Sequence, residues 1–135
     1  MKSEFNCNFG GAYLNNMSVL VVDDDAIARL IIEKNLRLLN YAGGVKGAAN
    51  GEEALEIMNN DKPDAIFLDL NMPVKGGFDV LDEMKAVGLN IPVYVITSSI
   101  LSADREKSAA YPLVKGFFEK PVTKSDVQVV LDVIK

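Results

Sequence analysis

Three short segments of this chain are apolar at every position: VLVV at 19–22, AIFL at 65–68 and VYVI at 93–96. A strand with apolar residues at alternate positions covers one face of a sheet. A strand apolar throughout must be buried on both, a condition met mainly by parallel sheets sandwiched between helices. Weaker runs at 45–49 and 114–118 suit two further strands. Between the runs, apolar residues recur at helical spacing: Ile27, Leu30, Ile31 and Leu38; Val80, Leu81, Met84 and Val87; Val127, Val130, Leu131 and Ile134. Asn50 with Glu53 reads as a cap for a helix over 52–59, and Thr123 with Asp126 as the cap of the last helix. Five strands alternating with five helices predict a single α/β domain, a five-stranded parallel sheet in a three-layer sandwich.

The remaining composition narrows the chemistry. The chain has no histidine, which removes His-ligated metals and Ser-His-Asp catalysis. Its one cysteine, Cys7, cannot form an intrachain disulfide. A net charge of -5 disfavours direct nucleic-acid binding. No apolar run approaches the roughly 20 residues of a membrane span, and the N-terminus lacks a signal-peptide core. The expectation is a cytoplasmic protein in which residues 1–17, rich in Asn and carrying Gly10-Gly11, form a poorly ordered leader and 18–135 form the domain.

Ligands of open parallel sheets bind outside the carboxyl ends of the strands. There the strand assignments place Asp23 and Asp24 after the first strand, Asp69 after the third, Thr97 and Ser98 closing the fourth, and Lys120 after the fifth. Crowded carboxylates repel unless a cation offsets them. Oxygen ligands without His or Cys favour a hard ion, and Mg²⁺ is the cytosolic candidate; a lysine and a hydroxyl nearby suit phosphate oxygens. Asp25 suits the start of the following helix. Each signal alone is weak, but together they point to a phosphoryl-binding edge.

Four blocks, VLVVDDD at 19–25, DAIFLDLNMPVKGGFDVL at 64–81, VYVITS at 93–98 and GFFEKPVT at 116–123, resemble the response-regulator receiver domains of two-component signalling, the CheY-like family. The resemblance spans nearly everything beyond the leader and implies a flavodoxin-like (βα)5 fold with strand order 2-1-3-4-5. It implies that Asp69 is the phosphoacceptor, that Asp24 binds Mg²⁺ directly with Asp23 beside it, and that the backbone carbonyl of Asn71 completes the metal's protein ligands. Thr97 and Lys120 would serve phosphoryl transfer, Thr97 and Phe117 would act as the switch pair, and the Lys120-Pro121 peptide would be cis. Gly77 matches the family glycine, whereas Gly76 replaces a commonly acidic residue. The implied partners are a histidine kinase or histidine phosphotransfer protein and a downstream protein target. The output surface would be the fourth helix, fifth strand and fifth helix, and the chain a monomer or weak phosphorylation-dependent homodimer.

Tyr111-Pro112 is expected to end the fourth helix early, a departure that falls on that output face. With the last helix ending at Lys135, no output domain is expected in this chain; a free-standing switch, a relay and a piece of a larger protein all fit. The chain is read as no enzyme beyond its own phosphorylation and dephosphorylation. An alternative, a Mg²⁺-dependent phosphohydrolase working through an aspartyl phosphate, would want a second acid where Asn71 stands. A flavodoxin-like cofactor binder would want a glycine-containing loop where DDDAIAR stands.

Overall fold

A computed structural model describes residues 17–98 and 102–134, with the side chain of Ser102 excepted. The expected leader, apart from Met17, lies outside these residues. Five strands, β1 (Ser18–Val22), β2 (Gly44–Ala48), β3 (Ala65–Asp69), β4 (Val93–Thr97) and β5 (Val114–Glu119), alternate with five helices. The helices are α1 (Ala26–Leu38), α2 (Gly51–Asn60), α3 (Gly77–Val87), α4 (Ser102–Ala109) and α5 (Lys124–Ile134). All strand pairs are parallel and the order is β2-β1-β3-β4-β5. This is the flavodoxin-like (βα)5 sandwich expected.

The two-faced burial explains the continuous apolar runs. Leu20, Val22, Ile66, Leu68, Val93 and Val95 point into one core with residues of α2 and α3. Val19, Val21, Phe67, Tyr94 and Ile96 point into the other with residues of α1 and α5. β2 is an edge strand with only Ala48 buried, which is why its pattern was weak. Both cap readings hold. Asn50 Oδ1 accepts the Glu53 N–H at 3.0 Å while Glu53 accepts from Ala49, and Thr123 and Asp126 bond reciprocally.

One helical face differs from expectation. α1 seats on the sheet through Ile32 and Leu36, while Ile27 and Leu30 are 67% and 62% exposed and Leu38 is also outward. α1 carries more apolar residues than one face can hold. Its phase is set by the Asp25 cap, whose carboxylate accepts the Ile27 N–H at 2.9 Å, and by Asn35, which donates to the Val122 carbonyl at 3.0 Å. Val87 is likewise exposed at the end of α3.

α4 ends at Ala109, just before Tyr111-Pro112. The Tyr111 hydroxyl donates to Asp82 of α3, its ring packs 6.3 Å from that of Phe78, and the Lys107 ammonium lies 4.2 Å above the Phe78 ring. The end of α4 is therefore fastened to α3. Among the described residues, no helix is long and apolar enough to cross a membrane.

Candidate functional site

The site forms where the parallel register delivers several strand ends to one edge. Val22 pairs with Leu68 and Ile96 with Asp69, so Asp23 leaves β1 beside the end of β3. One carboxylate oxygen from each of Asp23, Asp24 and Asp69 lies within 4.8 Å of the others, with Asp23 and Asp69 buried and Asp24 exposed. The Lys120 ammonium stands between the two buried acids, 2.6 Å from Asp23 Oδ2 and 3.1 Å from Asp69 Oδ2. The second contact is a hydrogen bond. The first is a close ion pair, and among the described residues Asp23 Oδ2 has no partner besides this ammonium.

The backbone sets these positions. Asp23 N–H donates to the Ala48 carbonyl of β2 at 3.0 Å, and Asp23 Oδ1 accepts from Asp25 N–H at 2.9 Å. Asp69 Oδ1 accepts from Asn71 N–H at 3.1 Å, which turns the loop after β3. Gly77 closes that loop; a Cβ there would sit 2.5 Å from the Asp69 carbonyl oxygen. Lys120 N–H donates to the Thr97 carbonyl at 2.7 Å, and the Lys120-Pro121 peptide is cis. Thr97 is buried at the end of β4. Phe117, opposite Val95 in β5, is half-buried with the Arg105 guanidinium of α4 5.7 Å from its ring centre. Sequence reasoning did not single out Arg29, whose Nη1 reaches back from α1 to donate to the Asp23 carbonyl at 2.5 Å.

Burial raises the Asp69 pKa above the ordinary carboxylate range; the Asn71 N–H works against this, Asp23 adds to it and Lys120 opposes it. Burial works against the Lys120 charge as well, yet Asp23 and Asp69 outweigh it and hold the ammonium protonated above its usual range. The edge thus carries more negative charge than its lysine balances. Mg²⁺ takes about six oxygens at ~2.1 Å, which separates neighbouring ligands by roughly 3 Å and opposite ones by roughly 4 Å. Three carboxylate oxygens within 4.8 Å of one another fit such an ion after small movements or through a water.

A parallel sheet whose carboxyl edge gathers three acids could coordinate a hard cation there. The chain belongs to the response regulator receiver domain family, whose model matches residues 19–132. It is 40% identical over 103 residues to the transcriptional regulatory protein PrrA of Mycobacterium tuberculosis, covering 73% of this chain and 43% of that protein. It is 34% identical over 122 residues to the autoinducer 1 sensor kinase/phosphatase LuxN of Vibrio harveyi, covering 87% of this chain and 14% of LuxN. The chain therefore spans less than half the length of these relatives. The structure of the chemotaxis protein CheY4 of Vibrio cholerae superposes with a TM-score of 0.75 at 26% identity, covering 89% of this chain and 99% of that one. Receiver domains are in general not independent enzymes, and their acidic clusters can coordinate Mg²⁺, as this one could.

Proposed function

We propose that this protein is a phosphoacceptor module of a two-component phosphorelay. Asp69 accepts a phosphoryl group from a phosphohistidine of a histidine kinase or phosphotransfer protein in a Mg²⁺-dependent step. The resulting acyl phosphate changes the α4–β5–α5 surface toward a downstream protein target. The observation that carries this reading is the pairing of buried Asp69 and Asp23 across the Lys120 ammonium, next to exposed Asp24.

The chemistry needs little from the protein beyond position and charge, because phosphoryl transfer is loose. One Asp69 carboxylate oxygen forms the new P–O bond as the P–N bond to the donor imidazole breaks, and that nitrogen keeps the electron pair. Asp23, Asp24, Asp69 and the Asn71 carbonyl would hold Mg²⁺, which supplies positive charge to the phosphoryl oxygens when bound. Lys120, already 3.1 Å from Asp69 Oδ2, exchanges a carboxylate oxygen for a phosphoryl oxygen with a small movement of its flexible stem. Thr97, at the end of the neighbouring strand, then offers its hydroxyl to the phosphoryl group. Phe117 follows into the space this leaves, turning away from Arg105. A hollow of about 340 Å³ lined by Asp25, Ile27, Ile31, Ser98 and Pro121 flanks Lys120 and offers the donor protein an apolar foothold.

The test is intact mass after incubation with acetyl phosphate. The expected result is a Mg²⁺-dependent gain of one phosphoryl group that is absent in Asp69→Ala. No adduct under any condition overturns the reading, and sustained hydrolysis of phosphomonoesters would replace it with the phosphohydrolase.

A further inference from the structure

We propose that Arg29 is a positioning residue that aims the exposed Asp24 carboxylate into the acidic cluster. The proposal rests on the reading of this edge as a Mg²⁺-dependent phosphoryl site. Among the described residues nothing donates a hydrogen bond to the Asp24 carboxylate, so what the protein constrains is the direction in which its Cα–Cβ bond leaves the backbone. The two peptide planes that flank Asp24 are each tied down. The Asp23 carbonyl, in the plane before it, accepts from Arg29 Nη1 at 2.5 Å. The Asp25 N–H, in the plane after it, donates to Asp23 Oδ1 at 2.9 Å. Fixing both planes fixes where the Asp24 side chain leaves the chain.

The route of Arg29 has its own provision. Its stem passes over Gly47 of β2, where a Cβ would come within 3.2 Å of both Arg29 Cδ and Nε. Gly47 is not in the left-handed region, and as a strand residue it is otherwise unfavourable. The missing side chain therefore leaves the arginine stem room on its way to Asp23, room that even a Cβ would tighten.

A positioning role and a simple charge effect predict opposite signs. Arg29 is a cation near a cation site, so by electrostatics alone its removal strengthens Mg²⁺ binding. If it positions Asp24, its removal weakens binding, typically by roughly tenfold or more for residues that orient metal ligands. The experiment measures the Mg²⁺ dissociation constant by titration calorimetry, with folding checked by circular dichroism. Arg29→Met is expected to weaken Mg²⁺ at least several-fold, Arg29→Lys less, and Gly47→Val, which blocks the stem without touching any charge, by an amount similar to Arg29→Met. In an Asp24→Asn background, Arg29→Met is expected to have no further effect. Unchanged or tighter binding in Arg29→Met, or the same loss in the Asp24→Asn background, overturns the proposal. Wild-type protein that fails to bind Mg²⁺ overturns the site reading itself and the proposal with it. Should Arg29→Met not fold, Gly47→Val and Arg29→Lys decide the matter by the same criteria.

Discussion

Lys120→Met removes the ammonium between two buried carboxylates and keeps most of the stem that packs beside them. At an effective dielectric constant of about 20, the contacts at 2.6 and 3.1 Å correspond to roughly 6 and 5 kcal/mol of gross attraction, most of it consumed by desolvation. Without the ammonium, two acids with oxygens no more than 4.8 Å apart face each other with about 3.5 kcal/mol of repulsion on the same scale. Without metal, protonating Asp69 limits that cost. From its ordinary value of 3.8, holding a proton at pH 7 costs about 4 kcal/mol, at 1.36 kcal/mol per unit. The expected loss at pH 7 without metal is therefore about 3–4 kcal/mol, in the range seen when one partner of a buried pair is removed. The pH dependence follows with a definite sign. A carboxyl raised in the folded state binds more protons there than in the unfolded chain, so its stability contribution is present at low pH and declines as pH rises. The deficit should then shrink to under about 2 kcal/mol at pH 5, and millimolar Mg²⁺ should stabilise the variant more than the wild type. Urea unfolding followed by circular dichroism measures all of these. A loss under about 0.5 kcal/mol at pH 7 would place the pair among surface ion pairs and refute the reasoning.

Four further outcomes follow from the same structure. Gly77→Ala places a Cβ 2.5 Å from the Asp69 carbonyl oxygen and 2.8 Å from Leu70 Cα, both backbone, and should cost about 1–3 kcal/mol while slowing phosphorylation from acetyl phosphate. Gly88→Ala, with φ of 76° and open space around it, should cost only about 1–2 kcal/mol and leave the acceptor unaffected; equal acceptor rates in the two variants would contradict this. Tyr94→Phe removes a buried hydroxyl with no partner among the described residues while keeping a ring stacked on Phe118 at 6.0 Å, and should stabilise by about 1 kcal/mol in urea; a measurable loss would mean that the hydroxyl has a partner. Tyr41 is 2% exposed and donates to the Gly44 carbonyl at 2.8 Å; burial, with Asp64 adding and Arg37 opposing, raises its pKa from 10.0 to about 12. Its contribution should be intact below pH 10 and fall by up to about 2–3 kcal/mol as pH approaches 12, so wild type should lose ground to Tyr41→Phe over that window; a constant gap would refute it.

What the sequence makes legible here is position along a strand. The runs at 19–22, 65–68 and 93–96 are apolar throughout because both faces are buried, so their ends are sharp, and the residues just beyond them could be assigned to one edge. Asp23, Asp69 and Thr97 are readable for that reason, each lying at or next to the end of such a strand, whereas Lys120 follows the weaker run of β5. What is not legible is phase and reach. The apolar surplus of α1 hides which residues face the sheet, and polar contacts such as the Asp25 cap and the Asn35 bond to Val122 help decide it. The clasp of Tyr111 and Lys107 on Asp82 and Phe78 joins helices through side chains about thirty residues apart, with no local period to announce it. Arg29 is the sharpest case. On a helix with an exposed face it reads as one more solvated cation, and the feature that redirects it is a glycine on a strand eighteen positions later. The carboxylates of this edge are placed by strands, whose ends a sequence shows. Their aim depends on side chains that cross from one element to another, and those crossings exist only once the sheet has brought β2 alongside β1.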